Sequence, residues 1–174
     1  MKNLYKIKGE EVHIVLRRRR GPDMLTIVDK TDLSALLKLN VRWYANYNRG
    51  NRAYYAACKT ENKVLQLHRY ILEAPKGKGV DHFDHDTLNN RRSNLRLATV
   101  QQNAQNRQRS RNNSSGIDGV YWNKKVNKWH VRIQVEGKRK HLGYFTEKEE
   151  ARKIVDAARA KYMPYSQQAA NKGA

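Results

Sequence analysis

Cysteine is nearly absent from this 174-residue chain, in which Cys58 stands alone. One thiol can form neither an intramolecular disulfide nor a zinc site with paired thiolates, and it suits a reducing cytoplasm. Long apolar runs are absent too. No stretch approaches the roughly 20 residues that cross a bilayer, and Met1-Lys2-Asn3-Leu4-Tyr5 lacks the apolar region of a secretory signal. The expectation is a soluble, cytoplasmic protein with no membrane partner. Acidic residues are scarce: 16 Asp and Glu stand against 36 Lys and Arg, a formal net charge of +20. Such a chain repels itself unless a polyanion or counterions offset the charge, which points to nucleic acid as partner. A solvated basic surface or RNA packing would show the same composition, and charge does not separate DNA from RNA.

The hydrophobic fraction of 39% is low for one large core, yet 3 Trp and 10 Tyr argue against disorder. Several small folded modules with thin cores are expected. In the first segment Val12, Ile14 and Leu16 alternate as in a half-buried strand, and Gly21-Pro22 marks a turn. Leu33, Leu36 and Leu37, with Thr31 as N-cap, predict a short amphipathic helix. Trp43 to Tyr47 and Ala53 to Cys58 read as strands around Asn48-Arg49-Gly50-Asn51, and Val64 to Leu67 as another. Arg17 to Arg20 reads as a solvated strand edge or a phosphate contact.

The chemistry concentrates between Val80 and Thr99, where Asp81, His82, Asp84, His85 and Asp86 precede Asn89-Asn90-Arg91-Arg92-Ser93-Asn94-Leu95-Arg96-Leu97. Val80 and Leu95-Arg96-Leu97 can form a hairpin around this polar loop. Thr99 with Gln102 makes a capping box opening a helix that contains Asn103. Asp81 and Asn103 can then serve as oxygen ligands of one Mg²⁺ or Mn²⁺, hard cations that prefer carboxylate, carbonyl and water. His82, on the opposite strand face from Asp81, can take a proton from an attacking water. On residue chemistry alone, a polar turn without catalysis accounts for the same loop.

Asp81-His82, the run Asn89 to Arg96, and Asn103 resemble the ββα-metal signature of HNH endonucleases, particularly phage and intron homing enzymes. Leu67-His68-Arg69-Tyr70-Ile71-Leu72 resembles the segment such enzymes carry upstream. The resemblance implies that Asp81 and Asn103 bind the metal, that His82 is the general base, and that Asn94 ties the loop and holds the histidine. His85 departs from the family, which usually has glycine there, because a turn suited to positive φ accepts glycine more easily. His85 is read as a neutral surface substitution and His68 as a structural histidine.

Ala104 to Ser115 has no large apolar residue and reads as a helix tail fraying into a linker, whose Arg107, Arg109 and Arg111 can track phosphates or serve only solubility. Beyond it, Val120 and Trp122, then Trp129, Val131, Ile133 and Val135, alternate with polar residues. Glu136-Gly137 turns the chain into Lys138 to Phe145. Thr146 and Glu149 predict a capping box for a helix carrying Ala151, Ile154, Val155, Ala158 and Tyr162 on one face.

Gly119-Val120, Lys128-Trp129, Leu142-Gly143-Tyr144-Phe145 and the alanine-bearing helix resemble plant ethylene-response-factor DNA-binding domains. In that family a three-stranded sheet enters the major groove and the helix packs behind it. Alternation leaves Lys128, His130, Arg132 and Gln134 on the side away from the helix. These, with Tyr121, Arg139 and His141, are the candidate DNA contacts, and Asp118, Tyr121, Gln134 and His141 replace residues typical of the plant domains.

The expectation is an α+β protein: an N-terminal scaffold (1–66), a ββα-metal unit (67–107), a linker (108–115), and a three-stranded antiparallel sheet packed on one helix (116–174). The expected activity is metal-dependent hydrolysis of double-stranded DNA by a phage- or mobile-element-encoded homing endonuclease inside a bacterial cell. One active site cuts one strand, so a double-strand break requires a second protomer or a second encounter. The rival readings are a non-catalytic DNA-binding regulator and an RNA-binding protein, the latter disfavoured because a sheet fits the open major groove of B-form DNA.

Overall fold

The computed structural model describes residues 1–18, 20–61, 63–106 and 113–166. Arg19, Arg107, Arg109 and Arg111, named above as phosphate contacts, lie outside the described residues. The fold is α+β, built from small antiparallel sheets and a few helices in two compact units, Met1–Ala98 and Thr99–Ala174.

In the first unit β1 (Tyr5–Lys8), β2 (Glu11–Leu16) and β3 (Met24–Asp29) form one sheet in that order. The buried positions of β2 alternate, with Val12, Ile14 and Leu16 facing the core, as the sequence pattern predicts. A 3-10 turn over Lys30–Asp32 leads into α1 (Leu33–Lys38). Its N-cap is Asp32 and not Thr31, and no side chain caps it. The Asp32 carboxylate instead receives Nε and Nη2 of Arg92 at 2.7–3.2 Å.

A second sheet joins β4 (Tyr44–Asn48), β5 (Ala53–Lys59) and β6 (Val64–Gln66), and α2 (Leu67–Ile71) follows directly. The two-stranded β7 (Gly79–His82) and β8 (Leu95–Ala98) complete the unit. One core gathers Val12, Ile14, Leu16, Val28, Leu36, Trp43, Ala56, Leu67, Ile71 and Leu95. Residues 1–66 and the start of the chemistry-bearing segment therefore share a single hydrophobic interior, and burial of their apolar surface stabilises both.

The second unit opens with α3 (Val100–Gln105), whose capping box forms as expected: Gln102 N–H donates to Thr99 Oγ1 at 3.2 Å, and Thr99 N–H to Gln102 Oε1 at 2.8 Å. Strands β9 (Val120–Asn123), β10 (Lys128–Val135) and β11 (Lys138–Phe145) form a sheet with β10 central. It is backed by α4 (Lys148–Tyr162), which buries Ala151, Val155 and Ala158. Ile154, expected on this face, is instead 37% exposed, because the 151, 155, 158 spacing sets the stripe and 154 lies beside it. The expected capping box of α4 does not form: Glu147 takes the N-cap place, so Thr146 sits one residue too early. Gly119 has φ +78, and a Cβ there would stand 2.7 Å from the Arg132 carbonyl oxygen and 2.9 Å from Val155 Cγ2. Only glycine lets the chain enter β9 this close to sheet and helix.

Candidate active site

Alternation along β7 sends Asp81 and His82 to opposite faces, and the register pairs Asp81 with Arg96 and His82 with Leu95. Asp81 Oδ2 receives Arg96 Nε at 2.9 Å and Nη2 at 2.7 Å, so an ion pair orients the carboxylate. The Arg96 guanidinium also lies 4.9 Å from the Phe83 ring centre. Hairpin register would have disclosed Arg96, since the residue facing Asp81 follows once Val80 is set opposite Leu97.

His82 is 5% exposed, and its Nε2 lies 3.3 Å from Asn90 Oδ1. Burial lowers the affinity of the ring for a proton below the ordinary histidine value, while the Asn90 contact and Asp84, Asp81 and Asp86 oppose that shift. Asn90 is fully buried; its Nδ2 donates to Thr26 Oγ1 at 2.8 Å, and the Thr26 hydroxyl donates to the Leu88 carbonyl at 2.7 Å. The Asn90 N–H donates to the Ile27 carbonyl at 2.7 Å, and Ile27 N–H to that of Leu88 at 2.9 Å. Strand β3 thus grips the loop through both backbone and side chain.

Asn94 knots the same loop. Its Oδ1 accepts Asp84 N–H at 2.9 Å, and its Nδ2 donates to Asp84 Oδ1 and the Asn89 carbonyl, both at 2.8 Å. Asn89 Nδ2 reaches Asp84 Oδ2 at 2.7 Å. Arg91 pairs with Glu11 on β2, and Arg92 with Asp32 in the 3-10 turn, which turns two loop cations toward the N-terminal segment. His85 adopts φ +67, the left-handed conformation for which glycine is the easy occupant.

Two rings flank His82: His68 edge-on at 5.1 Å between centres, and Tyr55 at 6.1 Å. His68 is 5% exposed, its Nδ1 is buried without a hydrogen-bond partner among the described residues, and burial, with smaller contributions from His82 and Arg69, lowers its pKa to about 3. It is a neutral packing ring in this fold.

Asn103 lies on α3, beyond the boundary between the two units. Its Oδ1 is buried with no hydrogen-bond partner among the described residues. An orphan amide oxygen of this kind suits an oxygen-seeking cation. Among the described residues no group of three or more His, Cys, Asp or Glu is placed to hold a metal. No described helix is long and apolar enough to cross a membrane.

Residues 66–105 match the HNH endonuclease family, spanning α2, β7, the loop, β8 and α3. The chain is 38% identical over 81 residues to Protein 3.8 of Escherichia phage T7, a match covering 44% of this chain and 67% of that protein. The chain belongs to the HNH endonuclease family. It is also 50% identical over 54 residues to an uncharacterized HNH endonuclease, L560, of Acanthamoeba polyphaga mimivirus, covering 28% of this chain and 29% of that protein. No solved structure matches it. HNH membership implies a nuclease-type function with DNA as substrate.

In the second unit of this HNH protein, Tyr121, His130 and Tyr144 stand in register across the sheet, followed by Arg132 opposite His141 and Gln134 opposite Arg139. His130 Nε2 lies 2.9 Å from His141 Nδ1, His130 stacks on Tyr144 at 4.9 Å between ring centres, and the Arg132 guanidinium sits 4.6 Å from the Tyr121 ring centre. Gln134 Nε2 donates to the Gly137 carbonyl at 3.2 Å, and Lys128, Arg139 and His141 are exposed. Val131 and Ile133 point the other way, into the core with α4. Asp118, unexplained in the sequence, pairs with buried Arg159, which donates to the Asp118 carbonyl at 2.7 Å and lies 3.4 Å from its carboxylate.

Proposed function

We propose that this protein is a metal-dependent nicking endonuclease acting on double-stranded DNA, of the homing type carried by phages and mobile elements and working inside a bacterial cell. The observation that carries the reading is the arrangement on β7 within the HNH segment: Asp81 oriented by Arg96 on one face, and His82 held by buried Asn90 on the other. In this reading Asp81 and Asn103 are, by the HNH motif, the residues that would supply oxygen ligands to Mg²⁺ or Mn²⁺. When bound, the cation stabilises negative charge developing on the phosphate and leaving oxygen. His82, kept neutral by burial, accepts the proton of the attacking water. Asn94 keeps the loop closed through Asp84 and Asn89.

The second unit supplies recognition in this reading, with Tyr121, Lys128, His130, Arg132, Gln134, Arg139 and His141 facing DNA as the sheet of ethylene-response-factor domains does. Arg132 and Gln134 have the planar polar groups suited to bidentate base contacts, and the lysine supplies sequence-independent affinity. A double-strand break then needs a second protomer or a second encounter.

The test is cleavage of supercoiled plasmid and host genomic DNA by the full chain with Mg²⁺, Mn²⁺ or EDTA, with the ends mapped by sequencing. Metal-dependent nicks are expected. His82→Ala should lower the single-turnover rate about 10²–10⁴-fold with little change in DNA affinity, since a general base acts in the transition state. Binding without cleavage under every metal condition would instead mark a non-catalytic DNA-binding regulator.

A further inference from the structure

We infer that His130 and His141 form a proton-linked contact for a backbone phosphate of DNA: the pair takes up one proton as DNA binds, and so gains one positive charge and a second free N–H donor. The inference rests on the reading that this face of the second unit meets DNA. It adds which group of the DNA the two histidines hold and in which charge state.

A β-bulge brings the two rings together. Tyr144 and His141 are three residues apart on β11, a spacing that puts side chains on opposite faces of a regular strand. Between Val131 and Arg132 the register shifts, so that Arg132 stands opposite His141 and not Leu142, and Leu142 packs inward against the core. The extra residue returns His141 to the face of His130 and Tyr144. The three rings then lie 4.9–5.0 Å apart between centres, and His130 Nε2 stands 2.9 Å from His141 Nδ1.

Two imidazole nitrogens at that distance hold one hydrogen between them. In the neutral pair one ring donates and the other accepts. Whichever ring donates, one of the two outer nitrogens, His130 Nδ1 and His141 Nε2, carries a hydrogen and the other is bare. One added proton fills the bare nitrogen and keeps the shared bond. A second would put hydrogens on both facing nitrogens and break it, so the two histidines together take up one proton.

The surroundings oppose that proton until an anion arrives. Strands β9, β10 and β11 contain no Asp or Glu, and Glu136 lies in the β10–β11 turn, beyond the Gln134–Arg139 pair. The charged and titratable groups sharing the face are Tyr121 of β9, Lys128 and Arg132 of β10, and Arg139 and Tyr144 of β11. Burial first, then His141 and Arg132, hold the proton affinity of His130 below the ordinary histidine value. A phosphate reverses the sign of the local field, favours the charged pair, and accepts its N–H groups in charge-assisted bonds.

The test measures the affinity of the full-length protein, in EDTA at fixed salt, for a duplex of arbitrary sequence and for the mapped site. Measurements run between about pH 8 and about pH 6, with thermal melting at each pH. Calorimetry in two buffers of different ionisation heat counts the protons taken up. The comparison protein carries His130→Gln and His141→Asn, amides that stand in for the two facing nitrogens and cannot titrate, while the other four histidines are common to both proteins. Arg132→Ala probes the face independently.

On both duplexes, wild-type binding should tighten on acidification more steeply than that of the amide variant, by up to about 10-fold per pH unit, with about one extra proton taken up. A difference below about half a proton, or one approaching two, overturns the shared-proton contact. A difference confined to the mapped site overturns the phosphate assignment, because the pair would then be reading a base. If proton linkage is missing while Arg132→Ala still weakens binding, the pair alone fails. If Arg132→Ala and the amide variant both bind as the wild type does at every pH, the sheet does not face DNA, and the recognition reading falls with the inference.

Discussion

Acidification should loosen the first unit through His68. The ring is buried, its Nδ1 has no partner among the described residues, and its pKa is lowered from 6.5 to about 3. The folded state therefore holds His68 neutral while the unfolded chain takes up a proton below pH 6.5. Stability is fully present above that value and is lost as pH falls toward 3. Lowering the pH to about 5 lies roughly 1.5 pH units below the unfolded value, so this residue should cost about 2 kcal/mol there, rising to about 4 kcal/mol by about pH 3. The comparison is urea unfolding of the wild type and His68→Leu at neutral and mildly acidic pH, with amide exchange of β2 and β5 reporting on the first unit. His82, also shifted down by burial and coupled to His68, contributes in the same direction in both proteins, so the acid loss in His68→Leu is reduced and not abolished. His68→Leu should lose about 2 kcal/mol less than wild type over this interval. Equal losses in the two proteins would refute the argument.

The strained position in the loop gives a stability prediction. His85→Gly should stabilise the first unit by roughly 0.5–1 kcal/mol by relieving the left-handed conformation, read by urea melting. On β10, adjacent residues should separate binding from folding. Arg132→Ala should weaken binding to the mapped site by about 1–3 kcal/mol if it makes a bidentate base contact, with an unchanged melting temperature. Val131→Ala, at 0% exposure, should destabilise the second unit by about 1–3 kcal/mol and leave intrinsic affinity intact. Trp129, only half-buried beside Trp122, should cost less on truncation than a fully enclosed indole.

Local pattern sufficed where one neighbour along the chain decides the outcome. Period-two alternation determined the buried face of β2 and the two faces of β10, and the Thr99 and Gln102 pair determined the start of α3. It also placed Asp81 and His82 on opposite sides of β7. The edge strand β1 escaped notice because its four residues are exposed and carry no buried stripe, and β3 because only its pairing with β2 reveals it. The expected caps of α1 and α4 failed for tertiary and positional reasons: Arg92 claims Asp32 from 60 residues away, and the chain enters α4 one residue late. Asn90 and Thr26 lie 64 residues apart, and nothing in the spacing of either marks a partner for His82. Sequence by itself determined which residues make up the HNH segment, because residue type and motif spacing are local properties. Only the tertiary structure decided which side chains orient them, because a hydrogen bond depends on distance and direction between groups that folding alone brings together.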